Sequence, residues 1–170
     1  MKEQKDFWGP KLWKLLHTVS YYSPEIMNDN QKKDYYYFYT FLVPRCIMCM
    51  KCQIHYRKMM EKNIFTGNTK NELIDYVIKI HNIVNRRLKK KELSRIDVDI
   101  LYKHKKQHIN EIYKLLLWYK GNVRYGSFGK YNFQLLLMYL TKLLSGVSIS
   151  NNNVSIEDKI NVNEKKIIKL

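Results

Sequence analysis

Apolar residues recur at the 3.6-residue spacing of an amphipathic helix along most of this chain. From Trp8 to Tyr21 they fall at Leu12, Trp13, Leu15, Leu16 and Val19, with Asp6 placed as N-cap and Pro10 in the first turn. Ser23-Pro24 ends that helix. A second is predicted over Asp34–Val43, crowded with Tyr35, Tyr36, Tyr37, Phe38 and Tyr39. Aromatic enrichment also suits a strand, but the neighbouring segments supply no hairpin partner. A third helix is predicted from Arg45 to Lys62, closing near Gly67-Asn68. A fourth spans Thr69 to Lys90, with Asn68 or Thr69 as cap, Glu72 in the first turn, and Leu73, Ile74, Val77, Ile78, Ile80, Val84 and Leu88 in period. A short fifth covers Ser94 to Leu101.

Beyond residue 103 the pattern continues in two blocks. His104 to Tyr119 is amphipathic through Ile109, Ile112, Tyr113, Leu116 and Leu117. Gly121 to Gly129 is a glycine-rich linker, and its Gly126-Ser127-Phe128-Gly129 lacks the pattern and context of a phosphate loop. Tyr131 to Leu144 is apolar on most of its circumference, which a lone helix in water does not sustain, so it should pack on the rest of the protein or on a partner. Ser145 onward, with Asn151-Asn152-Asn153, is expected to be a flexible tail. No internal repeat is visible. The resulting expectation is an all-α protein.

Composition narrows this only a little. The chain has 170 residues with 45% hydrophobic positions, enough for one domain with a core and an appendage. The apolar run Leu135–Leu144 is broken by Thr141 and Lys142 and falls far short of the roughly 20 residues of a membrane span. Met1 to Asp6 is polar and does not resemble a secretory leader. An intracellular, soluble protein is expected, in which the sequon Asn153-Val154-Ser155 carries no weight. Charge raises a separate possibility. Lys plus Arg number 31 against 15 acids, net +16, and Arg86, Arg87, Lys89, Lys90, Lys91 and Arg95 form one basic run. Such a run can bind nucleic-acid phosphates without reading sequence. The plainer reading is a solvated face plus the lysine, asparagine, isoleucine and tyrosine bias of an A+T-rich genome. No nucleic-acid-binding motif accompanies it. A basic helical protein binding nucleic acid or a virion core therefore stands as the alternative function.

The candidate chemistry lies in the cysteines. All three fall within seven residues, Cys46, Cys49 and Cys52, so none can staple distant elements. In an intracellular protein such a cluster means redox work or metal. Cys46, Cys49, Cys52 and His55 advance by threes, and on one continuous helix Cys46 and His55 would stand on opposite faces about 13.5 Å apart. That geometry cannot close a zinc site, so no metal is expected. Cysteines three apart on a helical turn can form a disulfide. The first of them also feels the positive end of the helix, which favours its thiolate. Pro44 favours Cys46–Cys49 as the active pair; His55, three beyond Cys52, and the distance to His81 favour Cys49–Cys52. We take Cys49 and Cys52 as the catalytic pair. Cys46 is then either a small buried hydrophobe or a third thiol that resolves mixed disulfides.

Three motifs stand in order: Phe7-Trp8-Gly9-Pro10-Lys11-Leu12-Trp13 with His17 and Tyr21; Cys49-Met50-Lys51-Cys52 with His55-Tyr56; and His81-Asn82-Ile83-Val84-Asn85-Arg86-Arg87. Together they resemble the Erv/ALR family of FAD-linked sulfhydryl oxidases, over about residues 5–95. The resemblance implies a four-helix bundle plus a short fifth helix binding FAD, with a helical C-terminal extension. It implies cofactor contacts from Gly9, Trp13, His17 and Tyr21 on the first helix, and from His81, Asn82, Val84 and Asn85 on the fourth. Arg87 and Lys90 correspond to basic residues near the phosphates, and Tyr76 stands where a tryptophan usually stacks on the flavin. Two features depart from the family. Ile78 replaces a cysteine of the usual structural disulfide, and no distal shuttle pair is present.

The activity so implied is oxidation of protein dithiols through Cys49–Cys52 and flavin to O2, giving H2O2. The resemblance also implies a homodimer through the first two helices, for which the tyrosine-rich second helix is a candidate surface. Single-domain oxidases of large DNA viruses are the nearest in character, so the host cytoplasm, and the virion, are the expected places of action. The domain division follows: residues 1–103 as the oxidase domain, 104–146 as a helical extension and 147–170 as the tail.

Overall fold

The computed structural model describes residues 2–103, 107–122, 129–144, 148–149 and 154–155. Within them the elements are α1 (Lys2–Tyr21), α2 (Asp29–Tyr37), a π-helical segment (Phe38–Leu42), α3 (Val43–Cys46), α4 (Met50–Lys62), α5 (Lys70–Arg87), α6 (Arg95–Tyr102), α7 (Gln107–Asn122) and α8 (Lys130–Leu143). Two-residue strands, β1 (Ser148–Ile149) and β2 (Val154–Ser155), pair antiparallel within the stretch expected to be a flexible tail. The rest of that tail, and positions 104–106 and 123–128 of the expected helix and linker, lie outside the described residues. The fold is all-α, as anticipated. Among the described residues no helix is long and apolar enough to cross a membrane.

Helix α1 begins upstream of the expected cap, so Asp6 lies inside it and Pro10 is interior, not in the first turn. An interior proline removes one ladder hydrogen bond and costs about 3 kcal/mol. Packing holds the turn before it. Trp8 is buried, and the Phe7 ring lies 5.7 Å from Trp118 of α7. Helix α2 also starts early, because Asn28 caps it and Gln31 closes a capping box. At the other end Pro44 has no N–H to donate, and the preceding turn widens: Val43 N–H reaches Phe38 O, the step of a π-helix.

The expected continuous helix from Arg45 to Lys62 is not formed. Ile47 and Cys49 are extended (ψ 110° and 111°), and a new helix starts at Met50. Two buried carbonyls at the break are satisfied by side chains. Gln53 Nε2 donates to Pro44 O and Tyr119 OH donates to Cys46 O, each at 2.8 Å. Helix α5 conforms closely to expectation, with Thr69 and Glu72 forming a reciprocal capping box. Ser94 and Asp97 do the same for α6.

The main core joins α1, α2, the π-helical segment, α4 and α5 through residues such as Leu15, Phe38, Tyr39, Met60, Leu73 and Ile80. Leu115 and Tyr119 of α7 and Leu136 and Leu140 of α8 belong to the same core. Helix α7 lies along α1, and α8 packs across α2, the π-helical segment and α3. A second, small cluster of Ile74, Ile78 and Val98 fixes α6 on α5. Ile78, which replaces a cysteine of the usual structural disulfide, thus contributes an apolar contact at that junction.

Candidate functional site

Helix α4 sets Cys49 at its N-cap. The Cys49 Sγ accepts a hydrogen bond from Cys52 N–H at 3.3 Å, the position an N-cap oxygen usually fills. The helix dipole and this N–H both favour a thiolate there. Cys49 and Cys52 are half-buried, whereas Cys46 is 1% exposed. Burial drives the Cys46 thiol far above its ordinary range, although nearby Arg45 pulls weakly the other way. Because the helix breaks between Cys46 and Cys49, the continuous-helix argument against zinc does not apply. Among the described residues no three His, Cys, Asp or Glu side chains gather to hold a metal.

Cys52 opens onto a cavity of about 730 Å³ between α1, α4, α5 and α6. Of the residues expected to carry the chemistry or contact the cofactor, eight line it: Gly9, Trp13, Cys52, His81, Val84, Asn85, Arg87 and Lys90; His55, three beyond Cys52, lines it as well. Trp13 and His81 stack at 3.9 Å with ring planes 5° apart. His81 Nδ1 is 3.0 Å from His17 Nε2, and His17 in turn stacks on Tyr102 at 4.8 Å. Burial, and secondarily the charge of Lys90, hold the His81 pKa down at about 4. The imidazole is neutral at neutral pH and offers a flat, uncharged wall.

Other expected contacts stand off that cavity. His17 is fully buried behind His81. Tyr21 donates to Asp99 Oδ1, and burial together with that carboxylate pushes its phenol far above the usual range. Tyr76 faces the opposite side, where its hydroxyl donates to Asn63 O at 2.9 Å and its ring meets Tyr39 and Phe65. Asn82 is engaged at both ends by Leu93, donating to its carbonyl and accepting from its N–H, each at 2.8 Å. Asn85, though on the cavity wall, also donates to Lys91 O at 3.2 Å. The two asparagines thus pin the segment after α5, which carries Lys90, Lys91 and Leu93 to the cavity.

Trp8, Tyr56 and Lys91 stood in the motifs and the basic run without an assigned contact, and Lys14, Met59 and Tyr102 were not singled out; all six line the cavity. Helical spacing carried a signal for Tyr56, four residues after Cys52 and on its face. Tyr102 carried none, since α6 is placed by its packing on α5. The basic run is divided in the fold. Arg95 pairs with Asp75 and Asp99, and Arg86 approaches Glu92. Arg87, Lys90 and Lys91 are turned to the cavity. An aromatic pocket with a cationic rim and a thiol in its wall suits a planar, anionic, redox-active ligand.

These features define a class. The model of the Erv1/Alr family matches residues 10–109, and the chain belongs to that family. Among its curated relatives is the FAD-linked sulfhydryl oxidase ERV1 of Arabidopsis thaliana, 31% identical over 86 residues, which are 51% of this chain and 44% of that protein. The FAD-linked sulfhydryl oxidase of African swine fever virus (isolate Pig/Kenya/KEN-50/1950) is 27% identical over 95 residues, 56% of this chain and 79% of the viral one. A probable FAD-linked sulfhydryl oxidase, R368, of Acanthamoeba polyphaga mimivirus is 31% identical over 93 residues, 51% of this chain and 62% of the relative. The chain therefore spans less than half of the plant relative's length but most of the swine fever virus protein.

Proposed function

We propose that this chain is an FAD-dependent sulfhydryl oxidase that forms disulfides in protein substrates. The observation that carries the reading is the position of Cys52, one turn inside α4 and in the wall of the aromatic, cation-rimmed cavity. The residues present fit FAD. Trp8, Trp13, His81 and Tyr102 supply flat walls, Arg87, Lys90 and Lys91 supply charge for a diphosphate, and nothing lies within 4 Å of where a Gly9 side chain would begin. The cavity size is in the range of cofactor sites.

The protein's part of the chemistry is thiol–disulfide exchange. A substrate thiolate attacks the Cys49 sulfur of an oxidised Cys49–Cys52 pair, and Cys52 leaves as thiolate. The substrate's second thiol then displaces Cys49, whose departing thiolate is stabilised by the N-terminus of α4. The substrate leaves as a disulfide; two electrons and two protons remain on the cysteine pair. FAD bound in the cavity would supply the acceptor for those electrons and their transfer to dioxygen, for an overall 2 R–SH + O2 → R–S–S–R + H2O2. The residues lining the cavity would hold that acceptor, and burial keeps His81 neutral in its wall.

The viral relatives favour action during virion assembly in a host cytoplasm. Dimerisation through the first two helices would have to compete with α7 on α1 and α8 on α2, so we expect the full chain not to associate through those faces. Among the described residues the basic run Arg86–Arg95 is divided and offers the nucleic-acid alternative no continuous surface of its own. A visible spectrum of the purified protein, with oxygen consumption on dithiothreitol, tests the reading. A yellow protein that turns over dithiothreitol supports it, and a colourless, inert one overturns it.

A further inference from the structure

The outer face of α4 carries a surface that the oxidase chemistry does not use. Met50 and Ile54 are one turn apart on that face and stand 58% and 45% exposed. Met50 lies between the two reactive cysteines. Around this apolar pair are Lys51, Arg57 and Lys58, all exposed, with Lys62 a turn further on. Among the described residues none of these four cations makes an ion pair, in contrast to Arg95, Lys70 and Lys142, which each hold a carboxylate. Glu61 is the one acid on the helix. Arg57 is about 12 Å along the axis from Cys49, within the span of a few residues of a bound extended peptide.

Resting on the oxidase reading above, we infer that this face selects its protein substrates: it docks a cysteine-bearing segment that has acidic residues around a bulky apolar side chain. Uncompensated like charges beside a reactive group repel one another unless a partner of opposite sign neutralises them, and they steer such a partner's approach. Two aliphatic side chains held in water at the same place gain from burial under an apolar residue of that partner. A nucleic acid would satisfy the cations but gives Met50 and Ile54 nothing, and brings no thiol to Cys49. An acidic protein segment satisfies all three.

The test uses the full chain and two reduced synthetic peptides with one shared Cys-x-x-Cys core and a flanking leucine, one with Asp and Glu flanks and one with Lys flanks. Dithiothreitol is the uncharged control. At low salt the acidic peptide is expected to show kcat/KM about tenfold or more above the basic one, with the difference shrinking at high salt. The double variant Arg57→Glu, Lys58→Glu is expected to reverse the preference while dithiothreitol turnover and the circular dichroism spectrum stay unchanged. Ile54→Ser is expected to raise KM for the acidic peptide alone. A thiol-free acidic peptide, with Ser for Cys, should bind the wild type more tightly than the double variant by fluorescence anisotropy, a readout independent of flavin. Equal rates and equal binding for the two peptides, with dithiothreitol still oxidised, overturn the docking surface alone. Failure to oxidise dithiothreitol overturns the oxidase reading itself.

Discussion

Cys49 and Cys46 are three residues apart and chemically opposite. Cys49 caps a helix and is partly open to solvent, while Cys46 is sealed in the core with its thiol held protonated. Cys49→Ser and Cys52→Ser are each expected to abolish dithiothreitol oxidation without loss of the flavin absorbance. Cys46→Ala is expected to keep most of the turnover; an inactive Cys46→Ala that remains folded and yellow would assign the pair differently. His81 gives a pH signature. Its folded pKa of about 4 lies below the ordinary 6.5, so between those values the unfolded chain takes up a proton that the folded chain does not. The associated stability is present above about pH 6.5 and is lost as pH falls towards 4, on the order of 3 kcal/mol in all. Denaturant midpoints at pH 7.5 and pH 5, taken at one excess of FAD, should fall further for the wild type than for His81→Gln. Equal falls would mean that His81 is not the group responsible.

At the scale of elements, the end of α5 shapes the site. Lys90 N–H returns to Asn85 O at 2.8 Å and Lys89 N–H to Arg86 O at 3.0 Å, which is the Schellman closure of a helix. That closure needs a left-handed residue, and Lys89 fills the place with φ 54°. A non-glycine residue there costs roughly 1–2 kcal/mol, so Lys89→Gly is expected to stabilise the protein by about 1 kcal/mol in urea unfolding. A loss of stability would show that the Lys89 side chain contributes more than its backbone strain costs. Removing the clamp should act oppositely. Asn82→Ala leaves both the N–H and the carbonyl of Leu93 without their partner, a cost of about 1–3 kcal/mol for each if they stay buried. Lower thermal stability and weaker FAD retention are expected to appear together, because Lys90, Lys91 and Leu93 lose their fixed positions. Unchanged retention would separate the loop from the cofactor site.

At the scale of the molecule, the two C-terminal helices are part of the core and not an appendage on it. Leu115, Tyr119, Leu136 and Leu140 are each at most 1% exposed, and Lys142 reaches Asp34 of α2. Removing even one such buried leucine side chain typically costs 2–5 kcal/mol, against a total stability of about 5–15 kcal/mol for a domain. A chain ended at Lys103 keeps every lining residue of the cavity, yet it is expected to be insoluble or to melt far below the full protein. A soluble, yellow truncation with dithiothreitol oxidase activity would restore residues 1–103 as an independent domain. Size-exclusion chromatography with an absorbance spectrum of each species decides between the two.

The sequence by itself determined the all-α class, the helix α5 with its caps, and the candidate chemistry. Periodicity located α5 and its caps, because a capping box is a local exchange between Thr69 and Glu72. The spacing of Cys49 and Cys52 pointed to the proposed redox pair, and the motif resemblance pointed to His81 and Asn85, both of which line the cavity. Tertiary structure decided what depended on partners distant in the chain. The break before Cys49 is supported by Tyr119, 73 residues away from Cys46. Tyr35 and Tyr39, candidates for a dimer surface, are buried in the chain's own core, and Tyr37 stacks on Tyr139 of α8. Tyr76 and Asn82 had residue types suited to the cofactor, but the fold gave them partners elsewhere. The physical reason is the same in each case. Local hydrogen-bond patterns and helical period are written in neighbouring residues, whereas the direction a buried polar or aromatic side chain takes is set by which distant group arrives to satisfy it.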